Sequence, residues 1–302
     1  MSKKNIDFIA IAALCTAMLI WGSSFIAFKS AVADMGPMSI IFFRMLFASL
    51  CFLYFIPSFF KLSFDREDIK YILLMVIFEP CLYFLFESHA LTYTSAGQAG
   101  MITAMMPLIT AIAASFFLKE YISKKMILGS IIALVGAVSL SLSSNTSISA
   151  PNPILGNSLE FGAMICAAGY TISVRHLVKK FSVVFLTAIQ SFAGMIFFLP
   201  FAVWETNTIP LHLSLSSMSY VLYMGVVVTL GGYGLYNFAL TRIEANKAAV
   251  YINLIPIFSV LLAFFILGEK LTAISMFTFA VILIGVIITQ IPTQTLKKIF
   301  KL

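Results

Sequence analysis

Ten apolar runs follow one another along this chain, at about 8–28, 37–57, 70–89, 95–117, 125–143, 157–174, 182–204, 218–239, 247–267 and 272–291. Each is close to the roughly 20 residues an α-helix needs to cross a hydrocarbon core. They lack period-two alternation and are too long for barrel strands, so they predict helices. Charged residues make up 10% of the 302 positions and hydrophobic ones 61%, whereas soluble domains carry roughly 25% charge. Such a chain cannot cover itself with a polar surface. The excess apolar surface must face a lipid bilayer.

The runs form two matching sets. Ala90-Leu91-Thr92 leads to Pro107 and Glu120, and 149 positions later Ala239-Leu240-Thr241 leads to Pro256 and Glu269. Ala96/Ala245, Ala99/Ala248, Ala114/Ala263, Phe116/Phe265, Leu118/Leu267, Leu134/Leu283 and Gly136/Gly285 match at the same offset without a gap. A duplicated apolar segment predicts two similar halves, residues 1–147 and 148–302, flanking a polar linker at 144–156. Such a build favours a transporter over an enzyme.

The net charge of +7 would suggest nucleic acid in a soluble protein. No basic patch here alternates with exposed aromatics, so no nucleic-acid partner is expected. The basic residues cluster instead in short connections. If both termini are cytoplasmic, that side receives Lys3, Lys4, Lys61, Arg66, Lys70, Lys119, Lys124, Lys125, Arg175, Lys179, Lys180, Arg242, Lys247, Lys297, Lys298 and Lys301. The outer side receives Lys29 and Lys270, a decisive positive-inside bias. Five helices per half is an odd number, so the second half enters the membrane inverted relative to the first. Accordingly the loop after Glu120 carries Lys124 and Lys125, while the loop after Glu269 keeps Lys270 alone.

Lys3-Lys4 before an apolar run resembles a signal peptide, but no small-residue cleavage site follows, and a retained first helix is expected. Cys15, Cys51, Cys81 and Cys166 lie in apolar runs without CxxC spacing or a matching His. They predict packing thiols, with no disulfide framework, metal site or cofactor.

Trp21-Gly22-Ser23-Ser24-Phe25 in the first helix, Phe43-Arg44 in the second, the repeated Ala-Leu-Thr…Pro…Glu blocks and the closing Gly136 and Gly285 are similar, taken together, to the EamA family of the drug/metabolite transporter superfamily. The resemblance spans nearly the whole chain. It implies an all-α polytopic membrane protein of ten transmembrane helices in two inverted five-helix repeats, with both termini cytoplasmic. It also implies transport of small organic solutes, often export of amino acids, metabolites or drugs. Substrate and direction are not fixed by it.

Charges inside a bilayer are costly and usually face a cavity or a partner. Arg44, Glu79 and Glu87 stand out. Arg44 lies about 10 Å below the outer surface at 1.5 Å per residue, Glu79 near the midplane, and Glu87 near the interface beside His89. Arg44 either binds an anionic substrate group or forms an ion pair that fixes helices 2 and 3. Glu79 and Glu87 are the candidate coupling residues, with Glu79 beside Pro80 as the proton carrier and Glu87 equally readable as an exposed rim group. Pro107 and Pro256 are expected to kink helices 4 and 9 and free the carbonyls of Thr103 and Ile252 as substrate acceptors. Gln98, Thr103 and Asn253 would line the opened cavity. Gly231-Gly232-Tyr233-Gly234-Leu235-Tyr236-Asn237 permits close packing and offers hydrogen bonds from Tyr233 and Asn237. Trp21, Ser24, Tyr83, Tyr170, Tyr233 and Tyr251 complete a candidate pocket able to stack on a substrate or receive a cation. Glu120 and Glu269 read as structural helix-boundary groups.

A secondary carrier working by alternating access is the reading these features favour, with a small amphipathic metabolite such as an amino acid as substrate, export as its direction and protons as candidate coupling ions. A bulkier cationic drug or a nucleoside-type metabolite is the alternative substrate, taken up or exchanged. No Walker A sequence indicates ATP powering, and no HExxH or selectivity loop indicates an intramembrane enzyme or a channel. The expected setting is a bacterial cytoplasmic (inner) membrane, as monomer or homo-oligomer.

Overall fold

A computed structural model describes residues 7–117, 124–240, 242, 251–270 and 272–290. Glu120, Thr241, Ala245 and Ala248 of the repeat lie outside the described residues, as do Lys3, Lys4, Lys119, Lys247, Lys297, Lys298 and Lys301. The described helices are α1 (Phe8–Ala31), α2 (Pro37–Phe52), α3 (Arg66–Val76), α4 (Tyr83–Tyr93), α5 (Ala96–Thr103), α6 (Met106–Phe117), α7 (Lys124–Ser143), α8 (Pro153–Leu177), α9 (Val183–Glu205), α10 (Leu215–Tyr223), α11 (Tyr233–Leu240), α12 (Leu254–Leu267) and α13 (Ala273–Gln290). Short helical turns at Leu53–Phe55 and Ile56–Phe59 prolong α2, and widened turns at Ile77–Leu82 and Met224–Gly232 join α3 to α4 and α10 to α11. Among the described residues five segments are long and apolar enough to span a membrane: Phe8–Ala31, Pro37–Phe59, Arg66–Tyr93, Val183–Glu205 and Leu215–Tyr236. Leu254–Leu267 and Ala273–Ile288 are shorter apolar helices. Phe265, Phe277, Ile196 and Trp204 are exposed on the outside of these helices, as befits side chains in contact with lipid rather than water.

Polar caps start the helices. Asp7 accepts from Ala10 N, Ser95 from Gln98 N, Asn152 from Leu155 N, Ser182 from Phe185 N and Ser214 from Ser217 N, each satisfying a donor left open at a helix N-terminus. Two carboxylates do the same across elements. Glu205, the last residue of α9, accepts from Met38 N (3.1 Å), Ser39 N (2.9 Å) and Ser39 Oγ (2.9 Å) at the start of α2. Glu269 accepts from Ala96 N (2.9 Å) and Gly97 N (3.0 Å) at the start of α5. An anion at the positive end of a helix is favourable, so Glu269 ties the end of α12 to the first half.

Several of the expected continuous helices are broken or distorted, the eighth among them at the widened turn Met224–Gly232. The third is interrupted at Glu79, whose backbone is extended (φ −147°, ψ 116°), because Pro80 donates no N–H and crowds the preceding turn. The fourth is divided between α5 and α6 at Ala104–Met105, and the corresponding break before α12 falls at Asn253, 149 positions later. Pro107 therefore sits in the first turn of α6 rather than kinking a helix from within, and Pro256 sits in the first turn of α12. A proline costs little there, since its missing N–H would have had no helical partner.

One core cluster gathers α1, α2, the C-terminal part of α9, α10 and α12 around Phe28, Ile40, Ile41, Phe198, Val221 and Ile255. A second gathers α5 to α8 with α12 and α13 around Met101, Leu108, Ala133, Leu140, Val260 and Ile282. In the second, α7 and α13 meet at the two repeated glycines. A Cβ on Gly285 would lie 2.5 Å from Ala133 N and one on Gly136 would lie 2.8 Å from Ile282 Cγ1, so only glycine allows this approach.

Candidate functional site

The break in the third span carries Glu79 into the interior. Its side chain is 7% exposed, and its Oε1 accepts a 2.5 Å hydrogen bond from Tyr233 Oη at the start of α11. The freed Glu79 carbonyl accepts from Gln190 Nε2 of α9 at 3.2 Å, and Gln190 Oε1 in turn accepts from Tyr170 Oη of α8 at 3.5 Å. A carboxyl of residues 1–147 is thus held by side chains of residues 148–302. The cavity beside it, lined by Met45, Glu79, Pro80, Phe84, Thr187, Gln190, Ser191, Thr229 and Tyr233, measures about 10 Å³. That is room for about one water. This cavity is too small for a metabolite.

Two further ionisable groups flank it. Arg44 is 6% exposed, its guanidinium lies 4.5 Å above the Phe84 ring, and its Nε has no hydrogen-bond partner. It makes no ion pair with Glu79 or Glu87, so the expected guanidinium–carboxylate pairing between helices 2 and 3 is absent in this conformation; the cation rests on an aromatic face instead. Glu87 is buried rather than at an exposed rim, and its Oε1 accepts from Tyr83 Oη at 2.7 Å. The linker and α8 cover the C-terminal end of α4, as Asn152 N bonding to Tyr93 O illustrates. Counting from the surface could not anticipate that cover.

Trp21 joins this centre from α1. Its ring lies 5.2 Å from Tyr233, edge to face, and 5.4 Å from Tyr236, and a side chain at Gly232 would overlap its indole. Ser24 Oγ bonds back to Trp21 O at 2.7 Å. The neighbouring Ser23 Oγ reaches Tyr223 Oη at 2.6 Å.

Other candidates lie elsewhere. Gln98 Oε1 accepts from Thr94 Oγ1 (3.1 Å), Ser144 Oγ (3.0 Å) and Asn157 Nδ2 (3.2 Å), a polar clasp over the ends of α4, α7 and α8. Thr103 Oγ1 is spent on Gly100 O at 2.7 Å. Tyr251 packs against Ala10, Leu14 and Ala239, and Asn253 occupies the cap position of α12. Asn237 belongs to α11, and its side chain lies outside the described ones. Arg44, Glu79, Tyr83, Tyr170, Tyr233 and Glu87 thus come together with Trp21, while the side chains of Gln98 and Thr103 are bonded elsewhere.

Sequence reasoning missed Thr187, Gln190 and Ser191, which share one face of α9. Their i, i+3, i+4 spacing on an otherwise apolar helix was the available signal. It also missed Glu160 of α8, which is fully buried. Thr229 had no such signal. It reaches the centre through the widened turn, where its Oγ1 bonds to Met224 O five residues back at 3.0 Å.

Apolar spans enclosing a buried cluster of Arg, Glu and Tyr, assembled from both parts of the chain, describe a polytopic membrane protein with an interior polar centre. The chain belongs to the EamA-like transporter family, which it matches over residues 8–142 and 154–291. It is a transporter and an integral membrane protein. It is 26% identical to the uncharacterized transporter YetK of Bacillus subtilis (strain 168), over 93% of this chain and 87% of that protein. An uncharacterized transporter of Archaeoglobus fulgidus is also 26% identical, over 91% of this chain and 96% of that one. A solved crystal structure shares the fold with a TM-score of 0.62 at 16% identity, covering 96% of this chain and 98% of the other.

Proposed function

We propose that this protein is a secondary carrier that moves a small amphipathic metabolite, such as an amino acid, out of the cell by alternating access. Its ten crossings would form two inverted five-helix repeats, residues 1–147 and 148–302, with both termini in the cytoplasm of a bacterial cell. The observation that carries the reading is the Tyr233–Glu79 hydrogen bond, made across the two halves where both flanking helices lose regular geometry. A carrier needs contacts at its centre that one arrangement of the halves makes and another breaks. A centre with room for about one water supports a cycle in which the halves must part before substrate enters. Family matches that stop at 142 and resume at 154 support the two-repeat reading.

In this mechanism Glu79 carries the coupling proton and Arg44 takes the anionic group of the substrate, with Trp21, Tyr83, Tyr170 and Tyr233 contacting its apolar body. A thermal-shift screen of the purified protein against metabolites, followed by uptake and efflux in vesicles, identifies the substrate. In that assay Glu79→Gln should transport without the pH dependence of the wild type. Unchanged pH dependence would remove Glu79 from coupling. Full activity in Arg44→Ala, Glu79→Gln and Tyr233→Phe alike would reject the site.

A further inference from the structure

Glu160 is the buried ionisable group that neither the packing nor the Glu79 centre employs. It is 0% exposed, and neither carboxyl oxygen has a hydrogen-bond partner. The chain from Phe78 through α4 packs antiparallel on α8, in a register set by three close approaches. Gly156 abuts Thr94 and Ala90, Gly162 abuts Phe86, and Gly169 abuts Phe78. That register sets Glu160 opposite Glu87, which is 5% exposed, and the Glu87 carboxyl acts electrostatically on that of Glu160. Tyr83 donates to Glu87 and leaves Glu160 without a donor.

The charges around the pair do not balance it. Arg44 of α2 acts on both Glu87 and Glu79, yet it rests on the Phe84 ring with its Nε unpartnered. Glu79 adds a third carboxyl and is held by Tyr233. His89 directs Nδ1 to the Leu85 carbonyl. Helices α5 and α6 contribute no ionisable side chain. The ionisable residues of α3 meet the other end of α8, where Tyr71 stacks on His176 at 4.0 Å and Asp68 pairs with Lys180. One guanidinium cannot compensate three buried carboxylates, and two facing carboxylates that share a single donor, Tyr83, cannot both be ionised there.

We propose that Glu87 and Glu160 form a proton-binding site, a carboxylic acid–carboxylate pair that holds one exchangeable proton between α4 and α8. Loading forms one O–H bond on either carboxyl with a proton taken from water, and release returns that proton to water. Among the described residues no three His, Cys, Asp or Glu side chains converge as a metal site, which favours the proton over a multivalent cation. Proton binding stands on these residues alone, and its use in transport rests on the carrier reading above.

The test is infrared difference spectroscopy of the purified protein in lipid nanodiscs across a pH series, following the carbonyl stretch of protonated carboxylic acid. Wild type should show a pH-dependent band that persists in Glu79→Gln. In that Glu79→Gln background, where Glu79 contributes no band of its own, Glu87→Gln and Glu160→Gln should each abolish it, and the triple variant should lose no more than either double one, because the proton belongs to the pair. Survival of the pH-dependent band in either of these variants overturns the proposal, as does its absence from Glu79→Gln alone or its removal by sodium at constant pH. Thermal unfolding verifies that each variant is folded, and Glu160→Met replaces Glu160→Gln if the amide is not tolerated. The readout needs no substrate, so absence of flux would sink the carrier reading and leave this one standing. A missing band with intact flux would do the reverse.

Discussion

Tyr233 carries more of the closed centre than any neighbouring side chain, because its hydroxyl bonds the Glu79 carboxyl from the other half. Gln190 cannot substitute for it, since its amide is committed to the Glu79 backbone carbonyl. Removing one partner of a buried polar pair costs about 1–3 kcal/mol, which corresponds to roughly a 5–150-fold shift in a two-state equilibrium. In the proposed alternating-access cycle, Tyr233→Phe should therefore raise the population with residues 1–147 and 148–302 apart by about that factor. Distances between spin labels at exposed Leu73 and Leu222 would read it directly. A distance distribution identical to wild type would show that the hydroxyl does not hold the halves together. Trp21 gives the same position a second constraint, as its ring leans on Tyr233 and fills the space that Gly232 leaves open.

At the scale of elements, carboxylates hold helix starts to distant parts of the chain. Asp34, in the turn between α1 and α2, accepts from Ser214 Oγ and from Ser217 Oγ (2.5 Å) at the start of α10. Those two hydroxyls are the main reason its carboxyl is held below the ordinary value of 3.8. A group depressed in the folded state contributes stability above its unfolded value and loses it as pH falls through its folded value. Acidification below the ordinary carboxylate range should thus loosen the first turn of α10. Hydrogen exchange at Leu215–Met218, corrected for intrinsic rates, should show lower protection there in wild type. Asp34→Asn should be less protected at neutral pH and insensitive to acidification, and a pH response that survives in this variant would assign the effect to another group.

The elements were legible in the chain to the extent that apolar length decides them. Helices α1, α2, α8 and α9 follow their apolar runs closely, since an uninterrupted stretch of apolar side chains in lipid has no other way to satisfy its backbone. Breaks were less legible. Pro80 signalled one, but the widened turn at Met224–Gly232 depends on packing around Arg44 and Phe47, against which Gly225 sits. The site divides in the same way. Arg44 and Glu79 announce themselves as charges deep in apolar runs, whereas Glu87 lies near the end of its run and reads as interfacial until the linker and α8 are folded over α4. Gln98 and Thr103 had suitable chemistry for a cavity, but local partners had already taken their hydrogen bonds.

On the scale of the whole molecule, two ends separate by charge. Helix α2 runs from Pro37, beside Glu205, to a tail whose Phe59 packs 5.2 Å from Phe185 at the start of α9. Lys61, Asp65 and Lys180 cluster at that second end, where Lys180 Nζ lies 3.2 Å from Asp65 Oδ2, and α1 begins with Asp7 bonded to Arg242. The opposite end gathers Lys29, bonded to Ser149 O at 2.6 Å, with Asp34 and the start of α10. Cytoplasmic loops of membrane proteins carry the excess of Lys and Arg, so the Lys61 and Lys180 end should face the cytoplasm. In a cysteine-free background, Lys61→Cys and Lys179→Cys should resist a membrane-impermeant thiol reagent added to whole cells and react once the membrane is opened. Ser149→Cys and Thr208→Cys should react in whole cells. All four positions are exposed, so access from the bulk, not burial, sets the outcome. Labelling of Lys61→Cys and Ser149→Cys from the same side would overturn this proposed topology, and with it the proposed inversion, which requires the two copies of one sequence block to end at opposite faces of the membrane.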